Sequence, residues 1–208
     1  MSDSVGALRA ERAALGRPYN AGMEIRGATL GDLRAVADID GTVDSREYLH
    51  LERTGEDLSI SFKLEPRPLR ERLIDPNRMT DEQKFALRQI VEGLDDGVAL
   101  VVELDGDAQA FALAKPDPEF QVMRVLDLRI DFDLRRQGMG TALLLQIVQK
   151  AREQDLRAVA VEILANNIPA ARMFQKLGFE LAGIDTFRRS NHDLVKERAT
   201  LFWYAAIS

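Results

Sequence analysis

Residues 127–154, DLRIDFDLRRQGMGTALLLQIVQKAREQ, constrain this chain more than any other stretch. Apolar residues alternate at Leu126, Leu128 and Ile130, which predicts a strand. Leu143, Leu144, Ile147, Val148 and Ala151 recur at helical spacing, which predicts an amphipathic helix with one core face. Between them stands Arg135-Arg136-Gln137-Gly138-Met139-Gly140-Thr141. Glycines let a ligand approach the main chain closely, and Gly138 can take φ > 0. A helix start leaves several N–H groups without intrahelical partners and carries the positive end of the helix dipole. With Arg135 and Arg136 alongside, the turn is an anion site suited to a diphosphate. Neither the G-x-G-x-x-G dinucleotide fingerprint nor the pattern ending in Gly-Lys-Ser/Thr is present.

Composition narrows the partners. A net charge of −6 argues against a general nucleic-acid binder and is compatible with a cationic amine substrate. No apolar run approaches the ~20 residues that span a bilayer, so no membrane partner is expected. The chain has no cysteine, hence no thiolate nucleophile and no cysteine-held metal, and His50 and His192 stand too far apart for a metal pair. No metal is expected. The first twenty residues lack the apolar core of a secretory signal, which makes a cytoplasmic protein the simplest reading.

Residues 1–20 read as a mobile arm and 21–208 as one domain. Met23–Arg26 predicts a first strand, and Thr29 is expected to cap a short helix through Leu30, Leu33, Val36 and Ile39. Tyr48–Arg53 and Leu58–Leu64 predict a hairpin, after which Pro66, Pro68 and Pro76 are expected to break regular structure. A helix opens at Thr80, with Phe85, Leu87, Ile90, Val91 and Leu94 as its apolar side. Val98–Val102 and Ala108–Ala114 form a hairpin through Asp105-Gly106-Asp107, and Lys115–Pro118 is expected to turn before the strand Val122–Ile130. Arg157–Leu164 reads as a strand, Pro169–Leu177 as a helix stopped by Gly178, and Phe179–Phe187 and Ala199–Ala205 as closing strands.

The turn reads as Arg135-x-x-Gly138-x-Gly140, and about 25 residues on comes VEILANNIPAARMFQKLGF, residues 161–179. Together they resemble the pyrophosphate loop and the strand-loop-helix of the GNAT N-acetyltransferase superfamily, with Asn167, Ala170, Lys176, Gly178 and Phe179 matching position by position. The resemblance implies an α/β fold: a mixed, mostly antiparallel sheet splayed between two parallel strands and flanked by helices. It implies acetyl-CoA as cofactor. Main chain at Leu128, Arg129 and Ile130 would pair with the pantetheine arm. Arg135, Arg136, Gln137, Gly138, Met139, Gly140 and Thr141 would take the pyrophosphate, and Asn167, Ala170, Phe174 and Lys176 would complete the cofactor site.

The C-terminal third, through Gly183–Phe187 and Ala199–Tyr204, is similar to the streptothricin acetyltransferase branch, which acetylates an amine of an antibiotic. The implied reaction is acetyl transfer to a primary amine of a small cationic molecule. The alternatives are acetylation of a protein N-terminus or lysine, or a CoA-binding module without turnover. Phe174 departs from the family's usual tyrosine, which protonates the departing thiolate; Tyr204 or a water would have to substitute. An ammonium must lose a proton before it attacks, and a carboxylate is the usual acceptor. Glu162, facing away from Val159, Val161 and Ile163, is either that base or an ion-paired strand residue. Asp127 is a second candidate, as a catalytic, structural or substrate contact. Asp185 could hold a cationic substrate or be an acidic turn residue. Phe202 and Trp203 read as core or as contacts of a homodimer rather than as groups that stack on a substrate.

Overall fold

The parallel pair at the centre of the sheet sets the architecture. The computed structural model describes residues 23–207; the arm read at 1–20 lies outside them. Val122–Ile130 (β6) and Ala158–Leu164 (β7) run parallel, but their register covers only Val122↔Ala158 through Val125↔Val161. Parallel strands need a long crossover, and here it is the helix Met139–Glu153 (α3). Beyond Val125 and Val161 the two strands part.

Around this pair the sheet runs β1-β4-β5-β6-β7-β9-β8, and every other pairing in it is antiparallel. Its other members are Met23–Gly27 (β1), Val98–Leu104 (β4), Asp107–Asp117 (β5), Glu180–Asp185 (β8) and Thr200–Ala206 (β9). The β4–β5 hairpin turns through Asp105 and Gly106 at φ 53° and 90°, the double left-handed turn that Asp-Gly favours. Lys115, Pro116 and Asp117 belong to β5, so the turn expected there falls after them.

Helices cover both faces. Leu143, Leu144, Ile147, Val148 and Ala151 of α3 pack on Met123, Val125, Val159 and Val161, joined by Phe174 of the helix Ile168–Lys176 (α4). The opposite face near β4–β6 is covered by Leu33–Asp38 (α1) and Asp81–Val91 (α2), through Val36, Leu87, Val101, Phe111 and Leu113. Each such buried side chain contributes roughly 1.5–3 kcal/mol. Phe85 and Leu94 do not join this core; they are 67% and 68% exposed. Thr80 caps α2 in a reciprocal box with Gln83, whose Nε2 also donates to the Leu126 carbonyl at 2.7 Å.

Val43–Glu56 (β2) and Ser59–Asp75 (β3) form a separate two-stranded ribbon, longer than the predicted hairpin. Pro66 and Pro68 lie inside β3, opposite Leu49 and Glu47, and do not break it. Two prolines at i and i+2 keep the same phase, so both missing N–H groups fall on the ribbon's open edge, where no ladder bond is lost. The ribbon is pinned to the sheet where the Leu49 N–H donates to the Ala165 carbonyl at 2.8 Å and Glu47 pairs with Arg172 of α4.

Candidate functional site

The turn before α3 has the geometry of an anion cradle. Gly138 is the N-cap residue at φ 88°, and Arg136 is also left-handed at φ 64°. Gly138 supplies no capping side chain, and the first backbone bond of the helix runs from the Ala142 N–H to the Gly138 carbonyl. The amides of Met139, Gly140 and Thr141 therefore have no acceptor among the described residues. The two glycines serve different ends. A Cβ on Gly138 would meet nothing within 4 Å, so its requirement is the φ value. A Cβ on Gly140 would stand 3.1 Å from Ile130 and 3.2 Å from Met173, so this glycine lets α3 pack against β6 and α4.

Arg135 and Arg136 are not equivalent. Arg136 is exposed beside the turn with Gln137. Arg135 turns back, its Nε donating to the Ile130 carbonyl at 3.3 Å and its guanidinium lying 5.0 Å from the Phe132 ring. Burial draws its pKa below the ordinary value, opposed by Asp40, Asp131 and Asp44.

Past Val125, β6 has β5 on one side and no strand on the other. This stretch, Leu126–Ile130, is where the sequence places the pantetheine contact. A bulge at Leu126 shifts the β5–β6 register between Ala114↔Val125 and Leu113↔Asp127. Leu128 and Ile130 pack on the α3 side, whereas Leu126 packs with the cluster under α1 and α2. Asp127 and Arg129 are both buried and paired, with Nε and Nη2 of Arg129 at 2.9 and 2.7 Å from Asp127 Oδ2. Burial pushes the Asp127 carboxyl above its usual value, and Arg129 works against that.

Glu162 is the first residue of β7 beyond the paired rows, at the point where β6 and β7 part. It projects opposite Val159 and Val161, on the face where Ala158, Ala160 and Val122 meet Tyr204. Its carboxylate is half-buried and held by Arg188, whose Nη2 donates to both oxygens at 2.9 and 3.1 Å. Arg124 Nη1 lies 3.8 Å from Oε1. Phe202 is the cross-strand neighbour of Glu162, and its ring lies 5.6 Å from the Arg188 guanidinium. Tyr204 pairs with Ala160, two rows from Glu162 on the paired side of the parting.

The remaining predicted residues have visible local tasks. Asn167 is the N-cap of α4, its side chain accepting from the Ala170 N–H at 3.3 Å. Phe174 is 2% exposed and packs against Phe179 at 5.3 Å between ring centres. Lys176 ends α4 on the surface. Asp185 accepts from the Phe187 N–H at 2.8 Å, closing the turn after β8. Trp203 is core, and Phe202 is half-exposed beside Glu162. Sequence reasoning missed Arg124 and Arg188 around Glu162 and did not place Phe202 beside it, because only the strand register and the return of the 186–199 loop bring them there. It also missed Tyr48, whose hydroxyl shares a 3.0 Å hydrogen bond with His50 Nδ1 and is held above its usual pKa by burial and then by Glu197. An open hollow of about 420 Å³ beside Ile90, Val98 and Lys150 lies toward the far end of α3 from the turn.

Comparison with known proteins fits this geometry. Residues 64–179 match the model of the Acetyltransferase (GNAT) family. A streptothricin acetyltransferase of Streptomyces lavendulae is 24% identical over 163 residues, 78% of this chain and 84% of that protein. Streptothricin acetyltransferase A of Bacillus subtilis (strain 168) is 33% identical over 78 residues, 38% of this chain and 44% of that protein. Among solved structures, a nourseothricin acetyltransferase superposes with a TM-score of 0.73 at 21% identity, covering 90% of this chain and 100% of that one. A Bacillus anthracis str. Ames protein in complex with acetyl coenzyme A superposes at 0.70 with 19% identity, covering 90% and 98%. The structural likenesses speak for the fold alone. The family match spans more than half of the 208 residues and contains both the glycine turn and the Asn167–Lys176 segment, so the chain belongs to the acetyltransferase (GNAT) family.

Proposed function

We propose that this protein transfers the acetyl group of acetyl-CoA to a primary amine of a small cationic molecule of the streptothricin class, by direct attack in a ternary complex. The observation that carries the reading is the parting of β6 and β7, with unpartnered helix amides at 139–141 beyond the end of β6 and the Glu162 carboxylate at the opening. Acetyl-CoA fits the cradle: free N–H groups, a left-handed Gly138 and the exposed Arg136 suit its diphosphate. The unpaired edge of β6 at Leu128–Ile130 suits the amides of its pantetheine arm. A relative named for streptothricin acetylation and a fold neighbour holding acetyl coenzyme A support the choice of substrates.

Acetyl-CoA supplies a thioester carbonyl. Glu162 takes a proton from the acceptor ammonium, directly or through a water, and the freed nitrogen attacks that carbonyl. The C–N bond forms, the attacking nitrogen gives its second proton to water, the C–S bond breaks, and the sulfur collects a proton. Phe174 has no proton to give, so Tyr204 or a water supplies it. Asp127, tied to Arg129 under a covered face, serves as a support for β6 in this scheme.

The test is release of free thiol from acetyl-CoA against streptothricin-class antibiotics, polyamines and peptides with free N-termini. Turnover confined to the antibiotics supports the proposal; turnover confined to peptides would replace it with protein acetylation. Acetyl-CoA binding with no thiol release from any acceptor would leave a CoA-binding module, the reading that Phe174 favours. For Glu162→Gln, kcat should fall most near neutral pH and recover as the amine deprotonates; an equal loss at every pH would remove Glu162 as the base.

A further inference from the structure

We infer that Glu162 and Phe202 form a cation subsite for the acceptor, and that the Arg188 side chain occupies this subsite until a cationic acceptor displaces it. The inference rests on the acetyl-transfer reading above and adds to it a specificity-determining residue.

The subsite is built from two neighbouring strands. Glu162 and Phe202 are directly paired across β7 and β9, so both side chains rise from the same face of the sheet. The next position across, on β8, is Gly183. A Cβ there would come within 3.3 Å of the Phe202 ring, so glycine leaves the ring room to lie over β8. A carboxylate beside an open aromatic face is the chemistry that holds a guanidinium or ammonium, by charge at one side and by the ring's negative face at the other. The protein shows the subsite filled in this manner by its own Arg188.

Arg188 is suited to leave. Its side chain is 47% exposed, and an exposed ion pair contributes little to stability. The main chain on either side of it is anchored independently. The Phe187 N–H donates to Asp185, and the Arg189 N–H donates to Asp193 Oδ2 at 2.8 Å. The arginine can therefore swing away without the loop unfolding. Arg124 is differently placed. Its Nε is committed to Asp117 at 2.6 Å and its guanidinium to the Phe120 ring at 5.6 Å, so it stays as the wall of the subsite. While Arg188 is in place the carboxylate at the parting of the strands is engaged. An arriving ammonium that displaces it reaches Glu162 and the entrance to the thioester together.

Three variants are compared by steady-state thiol release with nourseothricin as acceptor, with melting curves to confirm folding. Removing the internal competitor in Arg188→Gln should lower the acceptor KM by about 3- to 10-fold, the reach of one exposed ion pair with a cation–π contact. KM for acetyl-CoA should not move. Arg188→Lys, which restores a cation, should return the acceptor KM toward the wild-type value, and Phe202→Leu should raise it. An unchanged or raised acceptor KM in Arg188→Gln overturns the inference, since Arg188 would then be either irrelevant to the acceptor or a contact to it. Calorimetric titration with agmatine separates this from failure of the acetyl-transfer reading, because it needs no turnover. Tighter agmatine binding to Arg188→Gln than to wild type supports the subsite even if no amine is acetylated, and equal or absent binding overturns it.

Discussion

Gly138 allows the anion cradle to be tested with little disturbance of the fold. The residue is left-handed at φ 88°, and a Cβ there meets no atom within 4 Å. Asn and Asp tolerate this region better than other side chains, so Gly138→Asn and Gly138→Asp should each cost about 1 kcal/mol of stability or less. The two variants have the same shape and differ by one charge. A carboxylate held about 6 Å from a phosphate charge is repelled by about 3 kcal/mol at an effective dielectric constant of about 20, and salt at about 0.1–0.15 M reduces this to about 1.5 kcal/mol. That corresponds to a loss of about 10-fold in affinity. Acetyl-CoA at about 100 times the wild-type Kd stabilises the folded protein by about 2.7 kcal/mol, and the aspartate variant should retain only about 1.4 kcal/mol of that. The assay is thermal unfolding of wild type, Gly138→Asn and Gly138→Asp with and without acetyl-CoA. Equal protection of the Asn and Asp variants would refute the placing of the diphosphate at this turn. Gly140→Asp is a poorer probe, because its Cβ would press on Ile130 and Met173 whether or not a ligand is present.

Asp127→Asn should destabilise the protein by about 3–5 kcal/mol in urea unfolding, since it leaves Arg129 buried without its counter-charge; a loss below about 1 kcal/mol would show that the pair is not a support. Asp32 accepts from Arg26, and then from the Thr29 N–H and hydroxyl, which hold its carboxyl well below the ordinary 3.8. A depressed folded-state pKa stabilises above the unfolded value and is lost as pH falls, so Asp32→Asn should cost about 2–3 kcal/mol near neutral pH and progressively less in acid; a cost independent of pH would refute this. Phe174→Tyr should lower the stability of the free protein by about 1–3 kcal/mol through a buried hydroxyl and raise kcat by about 10-fold; destabilisation with unchanged kcat would show that the hydroxyl does not reach the thiol.

What was legible in the sequence follows the range of the interactions involved. The β4–β5 hairpin is written in Asp105-Gly106, and the α3 core face in five apolar residues at helical spacing, because backbone preference and local periodicity decide them. The ribbon was half legible. Its alternation shows at Leu58–Leu64, but proline at 66 and 68 reads as a break until the strand is known to have an open edge. The surroundings of Asp127 are not legible for a related reason. Alternation correctly sets it apart from Leu128 and Ile130, but the face it occupies is covered too, by the cluster under α1 and α2, and the bulge sends Leu126 there as well.

The candidate site divides along the same line. Its cradle is contiguous, so Gly138 and the amides after it can be read from seven residues in a row. The acceptor side cannot be read in that way. Glu162 stands out as a carboxylate on a strand face, but what the carboxylate can do depends on its neighbours. Phe202 arrives through the β7–β9 register, Arg124 from across the parallel pair, and Arg188 through a loop folding back from β8. None of these lies at a local spacing from Glu162. The part of an acetyltransferase that recognises its invariant cofactor is thus local and written plainly, because one diphosphate needs one turn. The acceptor site proposed above is assembled from four segments, and a change of register or loop length in any of them would alter its charge without touching the glycine turn.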